Sequence, residues 1–149
     1  MRKNLLILLV PFLLFITSCG KSIEERLIGN WRLENAYKKI FLGRDYFQTG
    51  YENGIFSFYE NGDAAYISNT DTLNGTWRAD NYSNNYYNSY SGDWENRGMR
   101  YLRIKLFNFP RNKFIDWEFD DFSFKDGWQK IKAEQYSLSN DRVYEFVRQ

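Results

Sequence analysis

From Trp31 onward, apolar and aromatic residues recur at every second position between short clusters of Gly, Asn, Asp and Pro, and no stretch of comparable length repeats at helical spacing. A period of two places alternate side chains on opposite faces of a strand. Trp31 and Leu33 alternate with Arg32 and Glu34, and Leu102, Ile104 and Leu106 alternate with Arg103 and Lys105. Val143, Glu145 and Val147 oppose Tyr144 and Phe146 near the C-terminus. In Ile115, Trp117 and Phe119 the apolar residues hold odd positions, and in Phe122 and Phe124 even ones. The phase flips at Asp120 and Asp121, which demands a bulge or tight turn there. Asn61-Gly62 between two such runs predicts a hairpin with a type I′ turn. Ser22 and Glu25 have capping-box spacing, so a single helical turn should end near Leu27 or Ile28. Asp80 to Trp94 is rich in Tyr, Asn and Ser without a clean period and reads as an extended loop or frayed hairpin tip. The pattern predicts a mainly β fold, an antiparallel up-and-down barrel of about eight short strands behind a short N-terminal helical turn.

The first twenty residues carry a different message. Arg2 and Lys3 precede an apolar run from Leu5 to Ile16, followed by Thr17, Ser18 and Cys19, the sole cysteine. The run is well short of the ~20 residues a membrane-crossing helix needs, and it has the form of a secretory signal. Ile16-Thr17-Ser18-Cys19 resembles the lipobox of bacterial lipoproteins. That resemblance implies removal of residues 1–18, acylation of Cys19, and a tether over 19–26 before a domain at 27–149. Several acyl chains would hold such a protein on a bilayer permanently. Gly20 in place of Asp points, by the same resemblance, to the outer membrane, with its periplasmic or outward face left open. The other reading of Cys19 is an ordinary secretory signal that ends near a thiol.

Loss of Arg2 and Lys3 tips the balance of 20 basic and 19 acidic residues slightly acidic, so no electrostatic footprint for nucleic acid remains. With its one cysteine at the cut, the chain has no internal disulfide, and the core must form from its 13 Phe, 12 Tyr and 5 Trp. Histidine is absent, which removes imidazole nucleophile activation and imidazole metal ligation. No metal or other cofactor is expected, and no enzyme. Asp116, Glu118 and Asp120 share one strand face at ~6.6 Å spacing, close to that of glycosidase carboxylate pairs, yet they read first as the wet side of an amphipathic strand. Asn69, Asp71, Asn74 and Gly75 loosely suggest a hard-cation loop without its full ligand set.

Gly29-Asn30-Trp31 after a helical turn resembles the Gly-x-Trp signature that opens the lipocalin barrel. Phe58 to Gly62 is similar to an F-x-x-x-G hairpin, and Gly75-Thr76-Trp77 to a G-T-W strand, of the small lipocalin-like domains of envelope lipoproteins. Tyr144 to Arg148 resembles their closing strand. The resemblance implies a barrel closed at one end by Gly29, Trp31 and an arginine, Arg148 or Arg142, although Trp31 reads equally as an ordinary core residue. It implies an interior lined by Phe56, Phe58, Trp77, Leu102, Ile104, Trp117 and Phe119 that could hold a small apolar ligand. Such a barrel can also be filled by its own side chains. Tyr82, Tyr86, Tyr87, Tyr90 and Trp94 form the one aromatic cluster outside the regular strands, suited to a protein or glycan surface or to folding over the barrel mouth. Two functions follow: a membrane-tethered, non-catalytic carrier of a small apolar ligand, or an interaction module serving an envelope complex.

Overall fold

A computed structural model describes residues 21–149, apart from the side chains of Asn84 and Tyr86. Residues 1–20, which hold the expected signal sequence and Cys19, lie outside the described residues. Ser22 caps helix α1 (Ile23–Leu27): its hydroxyl accepts from Glu25 N, and the Glu25 carboxylate accepts from Ser22 N, closing the capping box. Among the described residues no helix is long and apolar enough to cross a membrane.

Ten strands follow: β1 (Gly29–Ile40), β2 (Gly43–Tyr46), β3 (Ile55–Phe58), β4 (Asp63–Ile67), β5 (Thr72–Asn88), β6 (Asp93–Asn108), β7 (Lys113–Phe119), β8 (Asp121–Lys125), β9 (Lys130–Gln135) and β10 (Arg142–Arg148). They form one antiparallel sheet, curled into a half-barrel. Its order is β7-β6-β5-β4-β3-β1-β10-β9-β8, with β2 paired to β1 off this path. Apart from β2 with β3 and β7 with β8, chain neighbours are sheet neighbours, and the first long strand pairs with the last, Trp31 opposite Arg148. The two ends of the path, β7 and β8, are consecutive in the chain with Asp120 alone between them. Asp120 N donates to Glu134 O at 2.8 Å, so the kink required by the flipped phase moves the chain from pairing with β6 to pairing with β9.

Three local expectations are corrected. The strands number ten rather than about eight, and β5 and β6 are not short, at 17 and 16 residues. For Asp80 to Trp94 the loop reading gives way to its alternative, a hairpin, which is regular rather than frayed: β5 and β6 stay in register from Asn74↔Phe107 to Asn88↔Asp93. The Asn61-Gly62 turn is not type I′, because Gly62 (φ 85°) has positive φ and Asn61 does not. Gly62 N donates to Tyr59 O and Tyr59 N to Asp63 O, the pattern of a three-residue loop ending in a bulge glycine.

The core fills the concave side. Trp31, Leu33, Phe56, Leu73, Leu102, Ile104, Leu106, Ile115, Phe119, Phe122 and Phe146 are all but fully buried. Leu27 of α1 joins them, so the helical turn is held by an apolar contact as well as by its cap.

Candidate functional site

Gly29, Trp31 and Arg148 meet where α1 enters β1. Trp31 is completely buried, and its indole Nε1 donates to Leu27 O at 2.7 Å. The Arg148 guanidinium lies over the indole with 4.3 Å between its central carbon and the ring centroid. Its nitrogens donate to Ile28 O at 3.1 Å and to Arg26 O at 2.5 Å, two carbonyls left open at the end of α1. Burial draws the Arg148 pKa below the ordinary arginine value, yet arginine stays cationic in proteins, so the charge is retained and spread over the indole face and these carbonyls. Gly29 makes room for this: at φ 129° a side chain is strained, and an added Cβ would lie 2.8 Å from Arg148 Nη1. Arg142, the other candidate partner, stands at the far end of β10 opposite Lys38.

The residues expected to line a ligand cavity pack on one another. Phe56, Phe58, Leu102, Ile104 and Phe119 are buried, Trp77 is 8% exposed, and Trp117 is partly buried against them. Trp117 is the hub, with ring centroids 5.6 Å from Phe56, 5.2 Å from Tyr144 and 6.3 Å from Phe119. Phe58 rests on Trp77 at 5.5 Å, and Trp77 Nε1 donates to Tyr59 O. The segment between β2 and β3 brings two further rings, Phe47 edge-on to Tyr144 and Tyr51 edge-on to both Tyr66 and Trp117. Tyr51 also donates its hydroxyl to Phe114 O at 3.3 Å, so this segment lies across the end away from α1. Sequence reading missed this cover, since Phe47 and Tyr51 stand in a polar, glycine-bearing stretch with no period.

Two open surface clefts flank the packed interior. One, of about 610 Å³, lies outside Tyr51 and is bounded by Thr49, Asn53, Tyr66, Asn69 and Lys113. The other, of about 570 Å³, lies beside Arg148, with Lys21, Arg26, Ile28 and Trp128 on its walls.

The carboxylates that resembled catalytic pairs are engaged by neighbours. Arg103 grips Asp116 with two bonds of 3.0 Å, and this holds the Asp116 carboxyl below its usual range. Glu118 accepts from the Tyr101 hydroxyl at 2.5 Å, and Asp120 from Tyr136 N at 2.7 Å. Asp71, the centre of the suspected cation loop, already holds the Lys113 ammonium at 2.5 Å and the Arg111 guanidinium at 2.9 Å, which lower its pKa. Among the described residues, no three His, Cys, Asp or Glu side chains are grouped so as to hold a metal.

The aromatic cluster lies on the β5–β6 hairpin rather than on a loop. Tyr82 and Tyr87 belong to β5 and Trp94 to β6, while Tyr90 sits in the turn between them. The Tyr86 side chain lies outside the described set. Tyr82 is at the base, donating its hydroxyl to Asp120 O at 2.8 Å, and Arg100 N donates to Asp121 beside it. Beyond this base the strands pair only with each other. Tyr87 and Trp94 form a cross-strand pair with centroids 5.8 Å apart, and they are 56% and 74% exposed; Tyr90 is fully exposed. Amides and a carboxylate hold the ribbon instead of a core: Asn96 donates to Asn85, and Asn88 and Ser91 both donate to Glu95. In comparison with known proteins, no family model, no curated protein and no solved structure matched the chain.

Proposed function

We propose that this protein is a lipid-anchored, non-catalytic interaction module of the bacterial outer membrane, built on a lipocalin-like frame, with the outer half of the β5–β6 ribbon as its contact element. The observation that carries the reading is the exposure of Tyr87, Tyr90 and Trp94 on a ribbon with no third described strand beside it. Exposed aromatic rings backed by amides make large amphipathic contacts at low entropic cost. Counting β7 and β8 as one kinked strand, and leaving β2 aside, the curled half-barrel has eight strands in up-and-down order. With Arg148 on Trp31, that order supports the lipocalin-like frame. The lipobox at Cys19 supports the anchor.

The competing function, a carrier of a small apolar ligand, is less favoured because the residues that would line its cavity fill it. Trp31 and Arg148 stop one end of the stack, and Phe47 and Tyr51 cover the other. The test is a photo-crosslinking residue placed at Tyr90 or Tyr87 in the full chain, in its own envelope. Adducts form there and not at Leu138, which is fully exposed, like Tyr90, on the β9–β10 connection. Absence of adducts at both ribbon positions would overturn the reading.

A further inference from the structure

The ribbon leaves the sheet at the end where the N-terminal segment enters it. Gly29, the first residue of β1, pairs with Phe58, the last of β3. The β3–β4 turn follows at once, and Trp77 N donates to Gly62 O in that turn at 2.9 Å. Strand β5 therefore passes this end of the sheet at Trp77 and runs on to Asn88, with α1 packed beside it. Past the base fixed by Tyr82 and Arg100, the rungs from Ser83↔Gly98 to Asn88↔Asp93 stand clear of every other described strand. Those six residues extend about 20 Å at ~3.4 Å each. The same end carries another exposed indole, Trp128, 44% exposed in the β8–β9 turn, with the Arg26 guanidinium 3.7 Å above its ring. Its backbone oxygen accepts from Arg148 Nε.

The chain outside the described residues ends here too. Two residues, Gly20 and Lys21, separate Cys19 from Ser22, and the three Cα–Cα steps between them span no more than about 11 Å even fully extended. A body tied to a bilayer at Cys19 is too closely held for its ribbon to stand free of that bilayer. The chemistry of the tip suits the place. Tyrosine and tryptophan settle at the headgroup level of membranes, with their rings among the upper acyl segments and their polar tips in water. The ribbon's carboxylates, Asp93 and Glu95, offset Arg97, so ring burial rather than attraction to anionic lipid drives the contact. With no third described strand beside the ribbon, the outward backbone groups of its two edges face water or headgroups, which confines the tip to the interfacial layer.

We propose that the surface met by Tyr87, Tyr90 and Trp94 is the headgroup layer of the same membrane that holds Cys19, the ribbon acting as a second foot beside the lipid anchor. The inference rests on the ribbon being the contact element and on lipidation of Cys19. Its test uses the full, lipid-modified chain in phosphatidylethanolamine–phosphatidylcholine vesicles, some carrying bromine on the upper acyl carbons. The Trp94 signal is the difference between the parent protein and Trp94→Phe, whose unchanged melting temperature checks the fold. The expected result is loss of Trp94 emission in brominated vesicles, with protection from aqueous iodide. Equal emission in brominated and plain vesicles, together with full iodide quenching, overturns the inference. The adducts at Tyr90 and Tyr87 separate the two readings: a lipid adduct supports the foot, a protein or glycan adduct refutes the foot and retains the contact element, and no adduct at either position removes both.

Discussion

Two tryptophans mark the same end of this molecule and have opposite surroundings. Trp31 lies in β1 beneath an arginine and is fully buried, whereas Trp94 lies in β6 against a tyrosine and is 74% exposed. Both sit in regular antiparallel pairs, Trp31 opposite Phe56 and Arg148, Trp94 opposite Tyr87. The difference is what stands beside the pair. Trp31 has strands on both sides and a helix below; among the described residues, Trp94 has one strand beside it. Burial is decided by the sheet's extent, and the residue types follow: Leu73, Trp77 and Ala79 face inward on the covered part of β5, and Tyr, Asn and Ser take over where cover ends.

The comparison breaks most easily at Trp31. Trp31→Ala should cost about 3–5 kcal/mol in urea unfolding, the range for emptying a large buried ring site, because it also strands Leu27 O and removes the floor beneath Arg148. A loss under about 1 kcal/mol would mean the sealed end is not part of the cooperative core.

Arg148→Met keeps the aliphatic stem over the indole but deletes the guanidinium. The carbonyls of Ile28 and Arg26 then lose their donors, and the expected cost is about 1–3 kcal/mol. Hydrogen exchange should speed up at α1 and the start of β1 before it does in β9. Uniform acceleration would place the arginine's effect in the whole sheet instead of in the seal.

A smaller effect belongs to the wall that carries the seal. Partial burial raises the Glu134 pKa, but the ammonium groups of Lys132 and Lys39 more than reverse this and leave it lowered. A depressed carboxylate contributes stability above its unfolded value of about 4.3 and loses it as pH falls through the folded value. The melting temperature should therefore fall less steeply below pH 5 in Glu134→Gln than in the parent. With the Lys39 and Lys132 side chains 42% and 30% exposed, the contribution is less than about 1 kcal/mol. Parallel curves would show that the bridge from β1 to β9 contributes nothing measurable.

Much of the frame was legible because its signals are local or periodic. The Ser22–Glu25 box, the turn at Asn61-Gly62 and the phase flip at Asp120 each depend on a few neighbouring residues, and each lies where the chain suggested. The turn type was not legible: one bulge glycine satisfies the same dipeptide as two residues of positive φ. Nor could Arg148 be told from Arg142, since only the β1–β10 register decides which meets Trp31. The ribbon could be read only as a loop or a frayed hairpin tip, for a physical reason. A strand wet on both faces has no need to alternate, so Tyr82 to Trp94 carries no period to detect. Phe47 and Tyr51 were invisible as a cover because their contacts, Tyr144 and Trp117, are long-range.

The smallest expected effect on stability is the sharpest test of the contrast. Tyr87→Ala and Trp94→Ala remove an exposed pair, so each should shift unfolding by no more than about 0.5 kcal/mol, a tenth of what Trp31→Ala does. A double-mutant cycle should give a coupling near the low end of the ~0.2–1 kcal/mol seen for cross-strand rings, because no core holds either ring in place. Adduct formation at Tyr90 should nevertheless disappear in the double variant. If stability fell as far as in Trp31→Ala, the ribbon would be a structural arm packed on something of its own. If stability and adducts both stayed unchanged, the rings would serve neither the fold nor a contact. Only a small change in the first with loss of the second separates an end built to be sealed from one built to touch.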